Sequence, residues 1–561
     1  MKTGSVFEKR HAGSCDPSTR CTDSSARDRR WCRRLDVLLM GCAALFWLIL
    51  RSGFKPTRLS YPCQQSAFGL AAGVFGAPLV AAVVHGRARL APHRRAVGAV
   101  AALVLVAVVA AATLLPSLQG SDSLGPVQIT PPPNYRPDIF SVSHARGPAS
   151  GRFGGVDDLV TLMGTSGVKW YRSAVEGLRS GPDGLLDPDD VVLIKINAQW
   201  PERGGTKTDV LRGLIRVVVD HPDGFVGEVI VADNGQGSGS LNRSRNNAED
   251  IGQSPLDVVN DFRAEGWRIS AQLWDLLRNI PVREYAEEDS RSGYVVNDTA
   301  DAETQIKVSY PKFQSAFGTL ISFKHGIWSP QDGSYDPSKL AVISVPVLKT
   351  HRIYGITGGV KNHMGVVTQD LNTDSHNGVA RGGLGSVLAE VRVPDLTVLD
   401  CIWVLARPGA GPSAAYPETT RRNRLLASCD PVALDVWAAK HILMPAILED
   451  GYTIEDYGPF QDPDNPDSMF RQYLDRSLAE LLRAGVPATN DPAAVRLHVW
   501  AGDQDADGDV DELDTGGFAH CLAGPGTVIQ PSCQAFDSDD DEDVDLFDAS
   551  RFQRVFSGPQ S

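Results

Sequence analysis

Residues 191–200 read VVLIKINAQW, and residues 228–240 read EVIVADNGQGSGS. The six residues Val191–Ile196 form a nearly continuous apolar run, the pattern of a strand buried on both faces of a sheet. Thr208 opens a helical pattern through Val219, and Glu228–Ala232 is a second such strand, ending in the glycine-rich loop Asp233–Ser240. Ser254-Pro255 starts another helix, because a hydroxyl N-cap followed by proline suits a first turn. Leu340–Val347, Leu396–Leu399 and Leu425–Ser428 read as further strands, and Asp430-Pro431 opens a helix through His441. Strands alternating with helices predict an α/β domain over residues 157–490, with a mostly parallel sheet and its ligand site at the carboxyl ends of strands.

Three polar clusters fall at such ends. Lys195 and Asn197 close the first strand. Residues 345–365, VPVLKTHRIYGITGGVKNHMG, hold Lys349, His351, Gly358, Gly359, Lys361, Asn362, His363 and Gly365. Asp400 follows a third strand, and Asp430 and Asp435 lie at the next helix start. Lysines and amides beside paired glycines suit an anion, since glycine lets backbone N–H groups approach closely. Lysine with histidine also suits acid–base chemistry. The candidate catalytic residues are therefore Lys349, His351 and Lys361. The candidate ligand-binding residues are Lys195, Asn197, Gly358, Gly359, Asn362, Asp400 and Asp430. Each has a plainer reading: a strand-end lysine is usually solvated, Asp430 suits a helix cap, and Gly358 and Gly359 suit a turn. Two lysines, two histidines and an asparagine around a glycine pair are harder to explain without a ligand. No nucleophile elbow, phosphate-binding P-loop, dinucleotide fingerprint or H-E-x-x-H motif is present, and no cofactor is evident in this domain.

The same residues carry a family resemblance. VLIKINAQW, TKTDVLRGLI and EVIVADNG resemble the opening of the domain of unknown function 362 family. The 345–365 block resembles its most distinctive motif, and DLTVLD and ASCDPVALDVWAAK resemble its closing blocks. The likeness runs from Val191 to His441, with an insertion-like stretch around Asn242–Tyr335. It implies an α/β domain without a settled activity. Some members are joined to iron–sulfur modules, but this chain has no cysteine runs for a cluster.

The formal charge of −14 belongs to one segment. Between Asp503 and Asp548 stand 13 Asp and 2 Glu, with no Lys or Arg. Asp503, Asp505, Asp507, Asp509, Asp511 and Asp514 sit at positions 1, 3, 5, 7, 9 and 12 of an EF-hand-type calcium loop, with Gly508 at the sharp turn. A shift of 34 residues superposes Asp537, Asp539, Asp541, Asp543, Asp545 and Asp548 on that set, and Phe552 on Phe518. Alternating carboxylates converging on one point suit a hard divalent cation, so Ca2+ is the expected metal of residues 498–561. Glu542 replaces the turn glycine in the second loop, which predicts a weaker site there. The tandem loops, each with Asp at position 12 and a single following helix, resemble the dockerin repeat pair; the resemblance implies a small all-α module and a cohesin-like partner.

At the other end, residues 1–34 are basic and residues 35–116 hold three apolar runs: Val37–Leu50, Ser66–Val84 and Ala96–Leu115. Two or three of them are expected to span a membrane. Arg-rich segments before the first run and before the third, including Arg87, Arg89, Arg94 and Arg95, place those segments in the cytoplasm and the soluble domains on the extracytoplasmic side. Residues 117–156, rich in Pro and Gly, read as a linker. The nine cysteines contain no C-x-x-C pair; Cys521 and Cys533 either form a disulfide or remain two buried thiols. No basic stripe with interleaved aromatics is present in the soluble part, so nucleic acid is not an expected partner. Two functional classes fit: an enzyme acting on an anionic small molecule, and a non-catalytic surface protein docking through its tail.

Overall fold

The computed structural model describes residues 129, 132, 134–143, 154–243, 252–499, 512–527, 529, 533, 536, 537 and 543–555. The expected basic segment and membrane region lie outside the described residues, as does most of the linker. Of the two units into which the chain divides, Gly125–Ser561 holds the described residues.

Its main sheet has ten strands. These are β1 (Asp138–Ser143), β2 (Val191–Lys195), β3 (Glu228–Asp233), β4 (Ile269–Leu273), β5 (Leu340–Ser344), β6 (Val347–His351), β7 (Gly355–Thr357), β8 (Leu396–Leu405), β9 (Thr420–Ser428) and β10 (Arg496–His498). Along the sheet the order is β10-β1-β9-β8-β5-β2-β3-β4, with β6 pairing both β7 and β8. Pairings among β8, β5, β2, β3 and β4 are parallel, as are β6 with β8 and β1 with β10. The β8–β9, β1–β9 and β6–β7 pairings are antiparallel. The sheet is thus mixed and mostly parallel.

The apolar run 191–196 sits where its pattern demands, between two parallel neighbours. Every β2 residue is buried, and its side chains alternate between two cores: Leu193 with one, Val192 and Ile194 with the other. The second core is filled by Val210, Leu211 and Leu214 of helix α1 (Thr208–Val219), and by Val258 and Phe262 of helix α2 (Pro255–Ala264). The first core takes Leu434 and Val436 of helix α3 (Pro431–Ala438), together with Phe470 and Leu474 of helix α4 (Met469–Arg483). A sheet covered on both faces explains why no polar alternation was visible in β2 or β3.

Several boundaries move. Val345–Pro346 breaks the expected strand Leu340–Val347 into β5 and β6, because proline cannot donate to a central ladder. The strand at Leu396 runs on to Leu405, and the one ending at Ser428 begins at Thr420. β1 lies within the stretch expected as linker, and β10 lies beyond residue 490, so the α/β domain extends past both expected ends. Residues 293–336 form a separate five-stranded antiparallel sheet inside the insertion-like stretch. Pro431–Glu449 is apolar and long enough to cross a membrane, but 78% of it is buried inside the domain, as a core helix would be.

Candidate functional site

Parallel register brings the first two polar clusters together. Lys195 pairs with Ser344 of β5 on one side and with Ala232 of β3 on the other, so three strands end at one level. β6 then carries Lys349 and His351 onward, and its hairpin partner β7 leads through Gly358 into the short helix Gly359–Asn362. A cleft opens there, lined by Lys195, Asn197, Trp200, Asp233, Asn234, Lys349, His351, Thr357, Lys361, Asn362 and neighbouring residues.

The three lysines differ in what holds them. Three oxygens lie around Lys195 Nζ: Ile196 O at 3.0 Å, Asn362 Oδ1 at 2.9 Å and Asp233 Oδ1 at 2.8 Å. The first two accept hydrogen bonds and the third makes an ion pair, so the charge is balanced by Asp233. Burial moves Lys195 down and Asp233 up, each opposed by the other's charge. Lys195 is a strut: through Asn362, whose Nδ2 donates to Ser344 Oγ at 2.9 Å, it fixes the end of the short helix.

Lys349 is fully buried, and its Nζ donates to one backbone oxygen, that of Gly204. Lys361 is 7% exposed and has no hydrogen bond among the described residues; its Nζ lies 5.1 Å from the centre of the Tyr354 ring. Neither has a carboxylate partner among the described residues. Burial and Lys361, with Lys195 beyond, pull Lys349 down to about 7 against the opposing charge of Asp233, and burial with Lys195 nearby does the same to Lys361. His351 Nδ1 accepts backbone N–H groups from Ile353 at 3.2 Å and Tyr354 at 3.3 Å. Its proton therefore resides on Nε2. Burial and the neighbouring lysines hold the ring neutral, far below the usual histidine range. His363 is likewise held down, to about 4, by burial and Lys195. The site thus presents two unbalanced amines and one neutral imidazole N–H donor.

Other predicted residues support this site or lie apart from it. Gly358 and Gly359 pack on Asp435, whose carboxylate accepts the Gly359 N–H and, at 3.0 Å, the Val360 N–H. A Cβ at Gly358 would sit 2.2 Å from Asp435 Oδ1, so this glycine is required for the approach. Asp400 does not line the cleft; it accepts the Lys207 N–H at 2.9 Å and the Ile402 N–H at 3.1 Å. Asp430 does not line it either. It caps α3 through Val432 and Ala433 N–H and also receives the Thr489 N–H at 2.9 Å. The capping alternative accounts for Asp430 in full. Asp233, Trp200 and Asn234 were missed as site residues; a carboxylate closing one strand beside a lysine closing its neighbour was the available signal. The glycine-rich loop is already occupied from within: Gly235, Gly237 and Gly239 N–H groups all point to the Asp275 carboxylate.

In the tail, helices Glu512–Cys521 and Leu546–Val555 pack through Phe518 and Phe552, stacked with centroids 4.7 Å apart. These are the two residues related by the 34-residue shift. Phe536 closes the cluster edge-on against Phe518, and Cys521 and Cys533 form a disulfide. Asp543, Asp545 and Asp548 bring one carboxylate oxygen each to within 4.8 Å of the others. Asp514 is buried; Asp503, Asp505, Asp507, Asp509, Asp511, Asp539 and Asp541 lie outside the described residues.

Residues 340–440 match the family model described as Domain of unknown function (DUF362), a span running from β5 through the cleft motif and α3. No match was found among curated proteins or among solved structures.

Proposed function

We propose that the α/β domain binds an anionic small molecule in the cleft at the ends of β2, β3 and β6, and processes it through Lys349, His351 and Lys361. The observation that carries this reading is Lys361, a buried amine lining the cleft without an anionic partner among the described residues. Burying an unpaired charge is costly, so folding tolerates it only where the amine loses its proton or gains an anion. An amine near 7 accepts a proton readily at neutral pH, and the neutral His351 Nε2–H donates to a developing oxyanion. Asn197 would orient the ligand, with Asn362, held by Lys195 and Ser344, as its support.

On this reading the domain stands outside the cytoplasm, held by N-terminal membrane helices. The Cys521–Cys533 disulfide supports an oxidising compartment. The tail binds Ca2+ through its two aspartate rings and, as a dockerin-like module, docks a cohesin-like partner. Convergence of Asp543, Asp545 and Asp548 supports the second ring. A non-catalytic alternative keeps the tail and the cleft but no turnover.

The test is identification of small molecules released on denaturing the detergent-solubilised full-length chain. A phosphorylated or carboxylated compound present with the wild type and absent from Lys361→Met supports the reading. Only neutral or cationic compounds, unaffected by the substitution, would reject it. For the tail, calorimetry should register calcium binding; none at millimolar calcium would remove that assignment. Deleting residues 504–561 should abolish partner assembly and leave anion affinity unchanged.

A further inference from the structure

The cleft's charge balance constrains its ligand more narrowly than "anion". We infer that its ligand carries a doubly charged head group of the phosphomonoester kind, bridging Lys349 Nζ and Lys361 Nζ and accepting from His351 Nε2. This inference rests on the anion-binding reading and adds the charge and shape of the group.

Of the charged groups lining the cleft, Lys195 and Asp233 cancel at 2.8 Å. That leaves the amines of Lys349 and Lys361, neither facing a carboxylate among the described residues. Asp233 also acts on Lys349 but is held by Lys195, and Arg352 adds positive charge near His351; His351 and His376 are pushed down by burial and by Lys361, and Tyr354 is pushed up by burial, so these three are neutral. A singly charged guest would balance one buried amine and leave the other neutral, its proton released. A doubly charged one balances both and also meets the imidazole N–H. The lining also includes Trp200, Met364 and Pro412, apolar surface for the remainder of the molecule. Because both amines titrate near 7 in the free cleft, the guest must bring protons with it as the pH rises.

Methyl phosphate and methyl sulfate have nearly the same shape, but at pH 8 the first carries two charges and the second one. Calorimetry on the full-length chain at pH 8, in buffers of different ionisation enthalpy, reads both affinity and proton uptake. The expected result is methyl phosphate binding at least about tenfold tighter than methyl sulfate, with more than one proton taken up per anion. Lys349→Met and Lys361→Met should each lower the uptake by about one proton. Malonate is the control for source; if it outbinds methyl phosphate while taking up as many protons, the dianion requirement stands and the phosphoryl assignment falls. Equal binding of methyl phosphate and methyl sulfate, or uptake near zero, overturns this inference while leaving an anion site. Binding of none of the three overturns both.

Discussion

Replacing Lys361 by Met should make the protein more stable at neutral pH and flatten its pH dependence. The side chain is 7% exposed and lacks an anionic partner among the described residues, and burial lowers its amine from 10.5 to about 7. Holding a buried group that far from its unfolded value costs on the order of 4 kcal/mol at pH 7. The sign follows from proton counts: between pH 7 and 10.5 the unfolded chain holds the proton and the folded chain releases it, so stability rises with pH across that window. Integrated from pH 7 to 9, one such lysine contributes about 2 kcal/mol of added stability. Methionine is close in length, uncharged and content in an apolar gap. Urea unfolding followed by tryptophan fluorescence at pH 7 and pH 9 measures both effects. The wild type should gain about 2 kcal/mol more than Lys361→Met over that interval, and the variant should be the more stable at pH 7. A variant that is less stable at pH 7, with the wild type's pH slope retained, would refute the burial argument.

Gly365→Ala should collapse the strut beneath the site, because its Cβ would sit 2.2 Å from Asp233 Oδ1 and 2.4 Å from Lys195 Nζ. Anion affinity should fall at least about tenfold with the fold retained by circular dichroism, since even ångström-scale misplacement of binding groups is expensive. Asp430→Ala, which removes the cap of α3 and the acceptor for Thr489 N–H, should cost about 1–3 kcal/mol in chemical denaturation and leave anion affinity unchanged. Cys521→Ser, opening a loop of sequence separation 12, should destabilise the tail by about 3 kcal/mol, read as a lower tail melting temperature.

What the sequence made legible is what local pattern controls. The β2 and β3 runs, α1 from Thr208 to Val219, and the crowding of Lys349, His351, Lys361 and Asn362 around a glycine pair all depend on neighbours along the chain. What escaped depends on register. That Lys195 lies beside the end of β3, and is therefore neutralised by Asp233, follows only from the β2–β3 pairing. Asp400 and Asp435 both belong to the third polar cluster, and only Asp400 is a ligand-binding candidate, yet Asp400 binds the Lys207 N–H while Asp435 anchors the glycine turn of the cleft motif. β1 and β10 are short and are stabilised by β9 and by each other, so neither advertised itself in a stretch rich in Pro or close to a predicted boundary. That the N–H groups of Gly235, Gly237 and Gly239 cradle the Asp275 carboxylate is likewise set by tertiary packing.

The central claim is that two buried amines await an anion, and diffraction can see that anion. Crystals grown with selenate, a sulfate analogue with a strong anomalous signal, should show a selenium peak between Lys349 Nζ and Lys361 Nζ, lost in Lys361→Met. A cleft that stays free of selenate while surface lysines bind it, or one holding a cation between the amines, would contradict the account.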